Sequence, residues 1–294
     1  MSYYIDEESI RNVGGEMEQL SSPKKIKETL EQFGLSPLKK LGQNFLKDAN
    51  VTRRIAEAAV LPGEDVLEIG PGLGALTDVL AERAGRVVAV EIDSGMTRAL
   101  SHTLAHRNNV TVLHADILKT DIKKVAEEYF SGSFAVAGNL PYYITSKCLF
   151  AVLESGAPVT RFTAMVQKEV AERLAAKAGD KDYGALTASI AYYGAVQKIL
   201  NVPAGCFLPE PDVDSAVIQF TPSKTMDVER KIYARTVKAL FAMRRKTVQN
   251  NLKAMLGAEE ASAALELAGI DPKARAETLS PETIARLAEI IAQS

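Results

Sequence analysis

The sequence predicts an α/β fold, a doubly wound and mostly parallel seven-stranded sheet, followed by a small all-α C-terminal domain. Three observations lead to this prediction. Apolar runs alternate with helical patterns, a glycine-rich turn follows the first run, and strand signals stop near Thr221. Strands separated by helical crossovers imply parallel pairing, with helices on both faces of the sheet.

The strands are predicted from short runs rich in β-branched and apolar residues. The last two runs flank a proline-containing loop and resemble a hairpin-type pair at the sheet edge. The seven predicted strands are Val66–Ile69, Val87–Ile92, Val110–His114, Phe134–Gly138, Arg161–Gln167, Val196–Val202 and Ser215–Phe220.

Helix start and stop signals place the remaining elements. Ser22 and Pro23 open a short helical pattern that Gly34 ends, and a second helix is predicted from Asp48 to about Val60. We therefore predict an N-terminal extension with a short helix over residues 1–37, the sheet domain over 38–221 and the helical domain over 222–294.

Composition excludes several classes of protein. The 294 residues carry a net charge of -2, and no run approaches the ~20 apolar residues that a membrane span needs. Two unpaired cysteines, Cys148 and Cys206, predict free thiols in a reducing cytoplasm. His102 and His106 share one helix face but are only two ligands, so we predict no metal site.

The glycine turn after the first strand predicts a ligand with an adenosine moiety. Gly70 and Gly72 allow a close approach of the backbone, and Glu91 ends the next strand, where an acid accepts hydrogen bonds from a ribose. The glycine spacing also satisfies a loose dinucleotide fingerprint, which leaves an NAD-dependent oxidoreductase as an alternative. Glu68 and Pro71 favour the cationic cofactor S-adenosylmethionine, because a pyrophosphate prefers N–H donors to an acid.

Two further polar residues are expected at the same sheet edge. Asp116 follows the third strand, where it could accept from an adenine amino group or simply cap a helix. Asn139 ends the fourth strand and begins the segment Asn139-Leu140-Pro141-Tyr142. The Asn139 side-chain oxygen and a backbone oxygen beside Pro141 offer two acceptors to one –NH₂ group, and Tyr142 offers a stacking face. A plain turn is the alternative.

The segment at Asn139 resembles the (N/D/S)-(I/L/P)-P-(Y/F) motif of S-adenosylmethionine-dependent amino-methyltransferases. From about Leu38 onward the chain resembles the ribosomal RNA adenine N6,N6-dimethyltransferase family, nearest its bacterial small-subunit (16S) branch. The similar motifs, in order, are Gly42–Leu46, Glu68–Gly74, Glu91, Asp116, Asn139–Tyr142, Cys206–Ser215 and Phe241–Lys246.

The resemblance implies a Rossmann-like methyltransferase sheet and a role for individual residues. Asn44 and Leu46 would close over the cofactor, and Gly70 would touch its methionine end. Phe207 would stack on a flipped adenine opposite Tyr142, although a core aromatic is the alternative. The substrate would be two adjacent adenines in a 3′-terminal hairpin loop of small-subunit rRNA, within an immature 30S subunit, and the enzyme a monomer.

A basic run in the C-terminal part predicts contact with RNA phosphates. Lys231, Lys238 and Arg245 recur every seven residues, so on one helix they would share a face, and Arg244 and Lys246 flank the last of them. A solvated surface is the alternative. Two other functions also stay open: a large-subunit (23S) rRNA methyltransferase of the macrolide-resistance type, and a mainly non-catalytic ribosome assembly factor.

Overall fold

The computed structural model describes residues 19–38, 42–223 and 226–293. Most of the predicted N-terminal extension, residues 1–18, and the basic connector at 39–41 lie outside the described residues. The α-helices are α1 (Pro23–Gln32), α2 (Ala49–Ala59), α3 (Ala75–Arg83), α4 (Ser94–Thr103), α5 (Ile122–Tyr129), α6 (Thr145–Glu154), α7 (Lys168–Ala175), α8 (Ala185–Ala191), α9 (Arg230–Leu240), α10 (Val248–Leu256), α11 (Ala258–Ala268) and α12 (Pro281–Gln293).

Seven strands form the central sheet, in the order β4-β3-β2-β5-β6-β9-β7. The pairs β4–β3, β3–β2, β2–β5 and β5–β6 are parallel. The strand β9 is antiparallel to both β6 and β7. The strands are β1 (Phe45–Leu46), β2 (Asp65–Ile69), β3 (Val87–Glu91), β4 (Val110–His114), β5 (Phe134–Asn139), β6 (Val159–Gln167), β7 (Gly194–Val202), β8 (Phe207–Leu208) and β9 (Ser215–Pro222).

This architecture confirms the predicted fold class. The strand β3 is buried along its whole length, and its side chains alternate between the two helix layers. Val88 and Val90 pack with the layer of α5, α6 and α7, whereas Val87 packs with the layer of α2 and α3. The last two predicted strands do pair antiparallel, but β9 lies inside the sheet, and of the two only β7 is an edge strand.

Helix α1 packs on the sheet domain near the carboxyl ends of the strands. Ser22 caps it by accepting from the backbone N–H of Lys25 at 3.0 Å, as its sequence signal indicated. Ile26 and Leu30 are buried in a cluster with Phe45 and Met96. The short helix is thus confirmed, whereas the predicted boundary at residue 38 stays a prediction.

The C-terminal region is helical, as predicted, and has a core of its own. Helices α9 to α12 bury a cluster that includes Tyr233, Val248 and Leu287. The cluster also takes in Tyr183 and Ala188, and the Tyr233 hydroxyl donates to the Ala188 carbonyl oxygen at 2.8 Å. These contacts join the helical region to the sheet domain, and the predicted boundary near residue 222 stays a prediction.

Candidate active site

A cavity of about 330 Å³ opens at the carboxyl ends of β2, β3, β4 and β5. This volume is within the usual range for a small-molecule site, and the position is where α/β sheets bind ligands. Its lining brings together the residues that the sequence placed at this edge, which are Asn44, Leu46, Gly70, Gly72, Glu91, Asp116, Asn139 and Pro141.

The glycine turn lies between β2 and α3 and lines the cavity. Gly70 and Gly72 have φ angles of 70° and 60°, which is the left-handed region that disfavours other residues. A Cβ atom on Gly72 would lie only 3.3 Å from Cε1 of Phe45. The turn therefore leaves its backbone open to a ligand because neither position carries a side chain.

Glu91 is fixed by two backbone donors at the end of β3. Its Oε2 accepts from the N–H of Gly72 at 3.1 Å and its Oε1 accepts from the N–H of Asp93 at 2.9 Å. Burial raises the pKa of the Glu91 carboxyl, and these two donors offset part of the rise. Each carboxylate oxygen keeps a further lone pair, so the group can still accept from the hydroxyls of a ribose.

Glu68 is the most unusual acid of the cavity. It is only 1% exposed, and its Oε2 has no hydrogen-bond partner among the described residues. Burial raises the pKa of Glu68 to about 8, the charge of Glu91 adds to the rise, and Thr77 offsets part of it. A buried carboxyl that lines a cavity, with one oxygen unpaired among the described residues, fits a ligand that carries positive charge.

Asp116 lies at the far side of the cavity, between two exposed apolar side chains. Its Oδ1 accepts from the N–H of Leu118 at 3.0 Å within a turn. The next helix, α5, is capped by Asp121, so the alternative role of Asp116 as a helix cap is wrong. Ile92 and Leu118 are 52% and 39% exposed, and both line the cavity. This pair was not predicted from the sequence. The signal that could have indicated it is position, because Ile92 directly follows Glu91 and Leu118 lies two residues after Asp116. Together they offer an apolar surface to a flat base.

The lid segment, residues 42–46, covers the cavity and is held at several points. Its strand β1 pairs antiparallel with β8, so that Leu46 lies opposite Phe207. The Gln43 Nε2 donates to Asp93 Oδ2 at 3.4 Å, and the Gln43 Oε1 accepts from the N–H of Leu38 at 2.8 Å. This two-stranded sheet was not predicted, because each of its strands has only two residues.

Asn139 ends β5 directly beside the glycine turn. Its Nδ2 donates to the backbone oxygen of Asn44 in the lid segment at 2.9 Å. That bond orients the amide and leaves Oδ1 as an acceptor. The Leu140 side chain is 1% exposed and belongs to the core, so Leu140 can serve a ligand only through its carbonyl. No hydrogen bond engages that carbonyl within the described ranges.

The two aromatic residues predicted to stack on a base lie elsewhere. The hydroxyl of Tyr142 is 2.8 Å from Ser215 Oγ, and its half-buried ring is not part of the cavity lining. Phe207 is 1% exposed and packs with Leu46 and Met165 in the core. Phe207 is therefore a core aromatic in this conformation, because β8 is covered by β1. Stacking on a base would require the two strands to separate.

The burial of Phe207 gives a stability prediction. We expect Phe207→Ala to lower the free energy of unfolding by about 3–5 kcal/mol, because it leaves a cavity between β8 and the sheet. Phe207→Leu keeps most of the apolar volume and should lose less. Denaturant unfolding measures both. A loss below about 1 kcal/mol for Phe207→Ala would show that the ring does not hold the core together.

The basic run does not form one helix, which corrects the predicted seven-residue face. Helix α9 ends at Leu240, and Arg245 lies in the turn before α10. Asn251 stabilises this break, because its buried Nδ2 donates to the backbone oxygens of Leu240 and Met243. All five predicted RNA contacts are exposed, and they are Lys231, Lys238, Arg244, Arg245 and Lys246.

The histidines and cysteines have ordinary surroundings. His106 Nε2 is 2.9 Å from Asp78 Oδ1, and the rings of His102 and Phe33 meet edge to face. Cys148 is buried, Cys206 is half-buried and both are free. Across the described ranges no three potential metal ligands cluster together, and no helix there is long and apolar enough to span a membrane.

Solved structures define the class of this domain. The 23S rRNA methyltransferase ErmE is 31% identical, with a TM-score of 0.67 over 85% of this chain and 100% of that chain. A dimethyladenosine transferase from Plasmodium falciparum is 25% identical, with a TM-score of 0.69 over 84% of this chain and 97% of that chain. The sheet and its cavity are those of a Rossmann-like methyltransferase domain, as the sequence predicted.

The chain belongs to the ribosomal RNA adenine dimethylase family, whose model matches residues 36–293. The ribosomal RNA small subunit methyltransferase A of Bacillus thuringiensis is 45% identical over 94% of this chain and 98% of its own length. The protein of the same name in Bacillus mycoides is 44% identical over the same shares. Membership confirms the prediction of an S-adenosylmethionine-dependent methyltransferase and not a nicotinamide-dependent oxidoreductase.

Proposed function

We propose that the cavity binds S-adenosylmethionine in one orientation. Glu68 faces the cationic methionine end, Glu91 accepts from the ribose, and Asp116 with Ile92 and Leu118 holds the adenine. The support is a buried carboxyl oxygen at one end, which has no partner in the part of the chain that the structure describes, and an exposed apolar pair at the other end. When bound, the cofactor supplies a methyl group on a sulfonium. Asn44 and Leu46 of the lid segment then exclude water from it.

The proposed reaction is methylation of the exocyclic N6 of two adjacent adenines in a 3′-terminal hairpin loop of small-subunit (16S) rRNA, giving N6,N6-dimethyladenosine. The names of the Bacillus relatives support the small subunit as the source of the substrate. We also propose that the enzyme acts as a monomer in the cytoplasm, on an immature 30S subunit, with a role in small-subunit biogenesis.

Asn139 is proposed to activate the adenine amino group for methyl transfer. The lone pair of an adenine amino group is delocalised into the ring, which makes N6 a poor nucleophile. Acceptors at Asn139 Oδ1 and the Leu140 carbonyl would hold the two N6 hydrogens and localise the lone pair on nitrogen as the C–N bond forms. The proton can leave after the methyl group has arrived, so no general base is needed at neutral pH.

The observation that supports this reaction best is the bond from Asn139 Nδ2 to the lid segment, because it occupies the donor and leaves Oδ1 as the acceptor of a residue that lines the cavity. The test is incubation with labelled S-adenosylmethionine and undermethylated small ribosomal subunits, followed by mass spectrometry of the nucleosides. We expect N6,N6-dimethyladenosine. Absence of label from every rRNA-containing substrate would contradict the proposal.

A second candidate is methylation of large-subunit rRNA, which the 31% identity to ErmE over its whole length favours. The same cavity would serve either reaction, so the chemistry at Asn139 does not separate them. Mapping the modified nucleotide after reaction with mixed ribosomal subunits distinguishes the two candidates. Modification of 16S rRNA supports the first candidate, and modification of 23S rRNA alone supports the second.

We propose that the exposed cations of the C-terminal region contact RNA phosphates. Arg245 and Lys246 are exposed and form no ion pair within the described residues. We expect the double variant Arg245→Gln/Lys246→Gln to weaken binding to small subunits and to reduce the slope of log K against log salt by about 2. S-adenosylmethionine affinity should not change.

The matched control is Lys123→Gln/Lys124→Gln, which removes two exposed charges from α5. It should leave the salt dependence as in the wild type. If both double variants give the same slope of log K against log salt, Arg245 and Lys246 belong to a solvated surface and do not contact RNA phosphates.

A further inference from the structure

An exposed aromatic ring and an exposed cation both line the cavity. Tyr143 is 59% exposed although it is a large side chain, and it lines the cavity that contains Asn139. Lys147 lies four residues further, in the first turn of α6, and lines the same cavity. Neither residue is among the predicted cofactor contacts, which lie in the lid segment, in the glycine turn, at the ends of β3 and β5 and directly after β4.

The lid segment limits where the Tyr143 ring can lie. Gly42 has a φ angle of 60°, and a Cβ atom there would lie 3.4 Å from Pro141 Cβ and 3.9 Å from Tyr143 Cε1. The ring therefore lies between the lid backbone and solvent, and it lines the same cavity as Asn139. Tyr142, by contrast, is tied to Ser215 and is absent from the lining.

The charge at the mouth of the cavity is opposite to the charge inside it. Glu68, Glu91 and Asp116 are the acids of the lining, and Lys147 is the one cation among the lining residues that the structure describes. No ion pair engages Lys147 within those residues. An exposed ammonium and an exposed aromatic ring that line one cavity match the phosphate and the base of one nucleotide.

We propose that Tyr143 and Lys147 clamp the nucleotide next to the target adenine, with the ring stacked on its base and the ammonium paired with its phosphate. The ligand is single-stranded RNA, because a base held in a duplex could not present its face to the ring. The clamp rests on the proposed function and adds to it a residue pair that positions the substrate. Tyr143 and Lys147 would thus select a loop in which the neighbour of the target is also unstacked.

The test compares Tyr143→Ala, Tyr143→Phe and Lys147→Gln with the matched control Lys123→Gln on α5. We expect Tyr143→Ala to raise KM for undermethylated small subunits about 5- to 150-fold, since base stacking contributes on this scale. Tyr143→Phe should stay near the wild type, because it keeps the stacking face. Lys147→Gln should reduce the salt slope of binding by about 0.7, and Lys123→Gln should leave it unchanged.

Affinity for S-adenosylmethionine, measured by calorimetry, separates this role from a purely structural one. The clamp predicts wild-type cofactor affinity in all four variants. An unchanged KM in Tyr143→Ala together with an unchanged salt slope in Lys147→Gln overturns the clamp. A loss of cofactor affinity in Tyr143→Ala also overturns it, because that result would place the ring on the cofactor. A wild-type enzyme that methylates no rRNA refutes the proposed function instead, and this result is visible before any variant is tested.

Discussion

Asn139→Ala should lower kcat for methyl transfer by about 10²–10³-fold and leave the affinity for S-adenosylmethionine close to that of the wild type. The variant removes an acceptor aimed at charge that develops on N6, and the loss of one such preorganised group costs about 3–4 kcal/mol in other enzymes. The measurement is a single-turnover assay on undermethylated small subunits, with cofactor affinity from calorimetry.

Asn139→Asp provides the matched control. It keeps acceptor oxygens but loses the Nδ2 donor that reaches the Asn44 carbonyl. If the acceptor matters most, Asn139→Asp retains more activity than Asn139→Ala. Two equally inactive variants that both bind the cofactor weakly would show instead that Asn139 acts by holding the lid segment.

Glu68→Gln should change the pH dependence of stability in the cofactor-free protein. The folded pKa of Glu68 is about 8 against 4.5 for the free group, so the folded state binds this proton more tightly than the unfolded state. Its contribution is fully favourable below pH 4.5 and is lost as the pH rises through 8. Between pH 5.5 and 8.5 the wild type should lose about 3 kcal/mol through this group, whereas Glu68→Gln should not.

Denaturant unfolding of wild type and Glu68→Gln at both pH values measures this difference. The control is Glu57→Gln, which alters an exposed glutamate on α2 and should keep the wild-type loss. The same loss in Glu68→Gln would mean that another group causes the pH dependence.

Cofactor binding should show the linked effect. A cation beside Glu68 favours the ionised carboxyl, so binding releases its proton and affinity rises as the pH increases towards 8. Glu68→Gln should bind S-adenosylmethionine more weakly at pH 8 and with little dependence on pH. Calorimetry in buffers of different ionisation enthalpy measures the proton release directly. No release by the wild type would contradict the cationic contact proposed for Glu68.

Much of the fold and the site could be predicted because the signals are local. Alternating apolar runs place the strands of a parallel sheet, and their carboxyl ends necessarily meet at one edge. Gly70 directly follows such a strand, and Glu91 and Asn139 end two others, which is why they line one cavity as expected. The start of α1 could likewise be predicted from Ser22, whose side chain caps its own helix.

Other features depended on residues distant in the chain. The break between α9 and α10 was missed because it depends on a distant side chain. Asn251, in α10, donates to the backbone oxygen of Leu240 at the end of α9, and the seven-residue spacing of the cations does not indicate this bond. Tyr142 and Tyr143 look equivalent in the sequence, yet only the second faces the cavity. Ser215, which holds the first, is on another strand.

The sequence by itself determined the sheet, the glycine turn and the acids and amide that follow its strands, because each depends on short-range patterning. Tertiary structure alone decided that β9 lies between β6 and β7, that β1 covers Phe207 and that Glu68 is buried with no partner for its Oε2 among the described residues. The physical reason is that strand order, burial and pKa depend on what packs against a residue, and those neighbours come from distant parts of the chain.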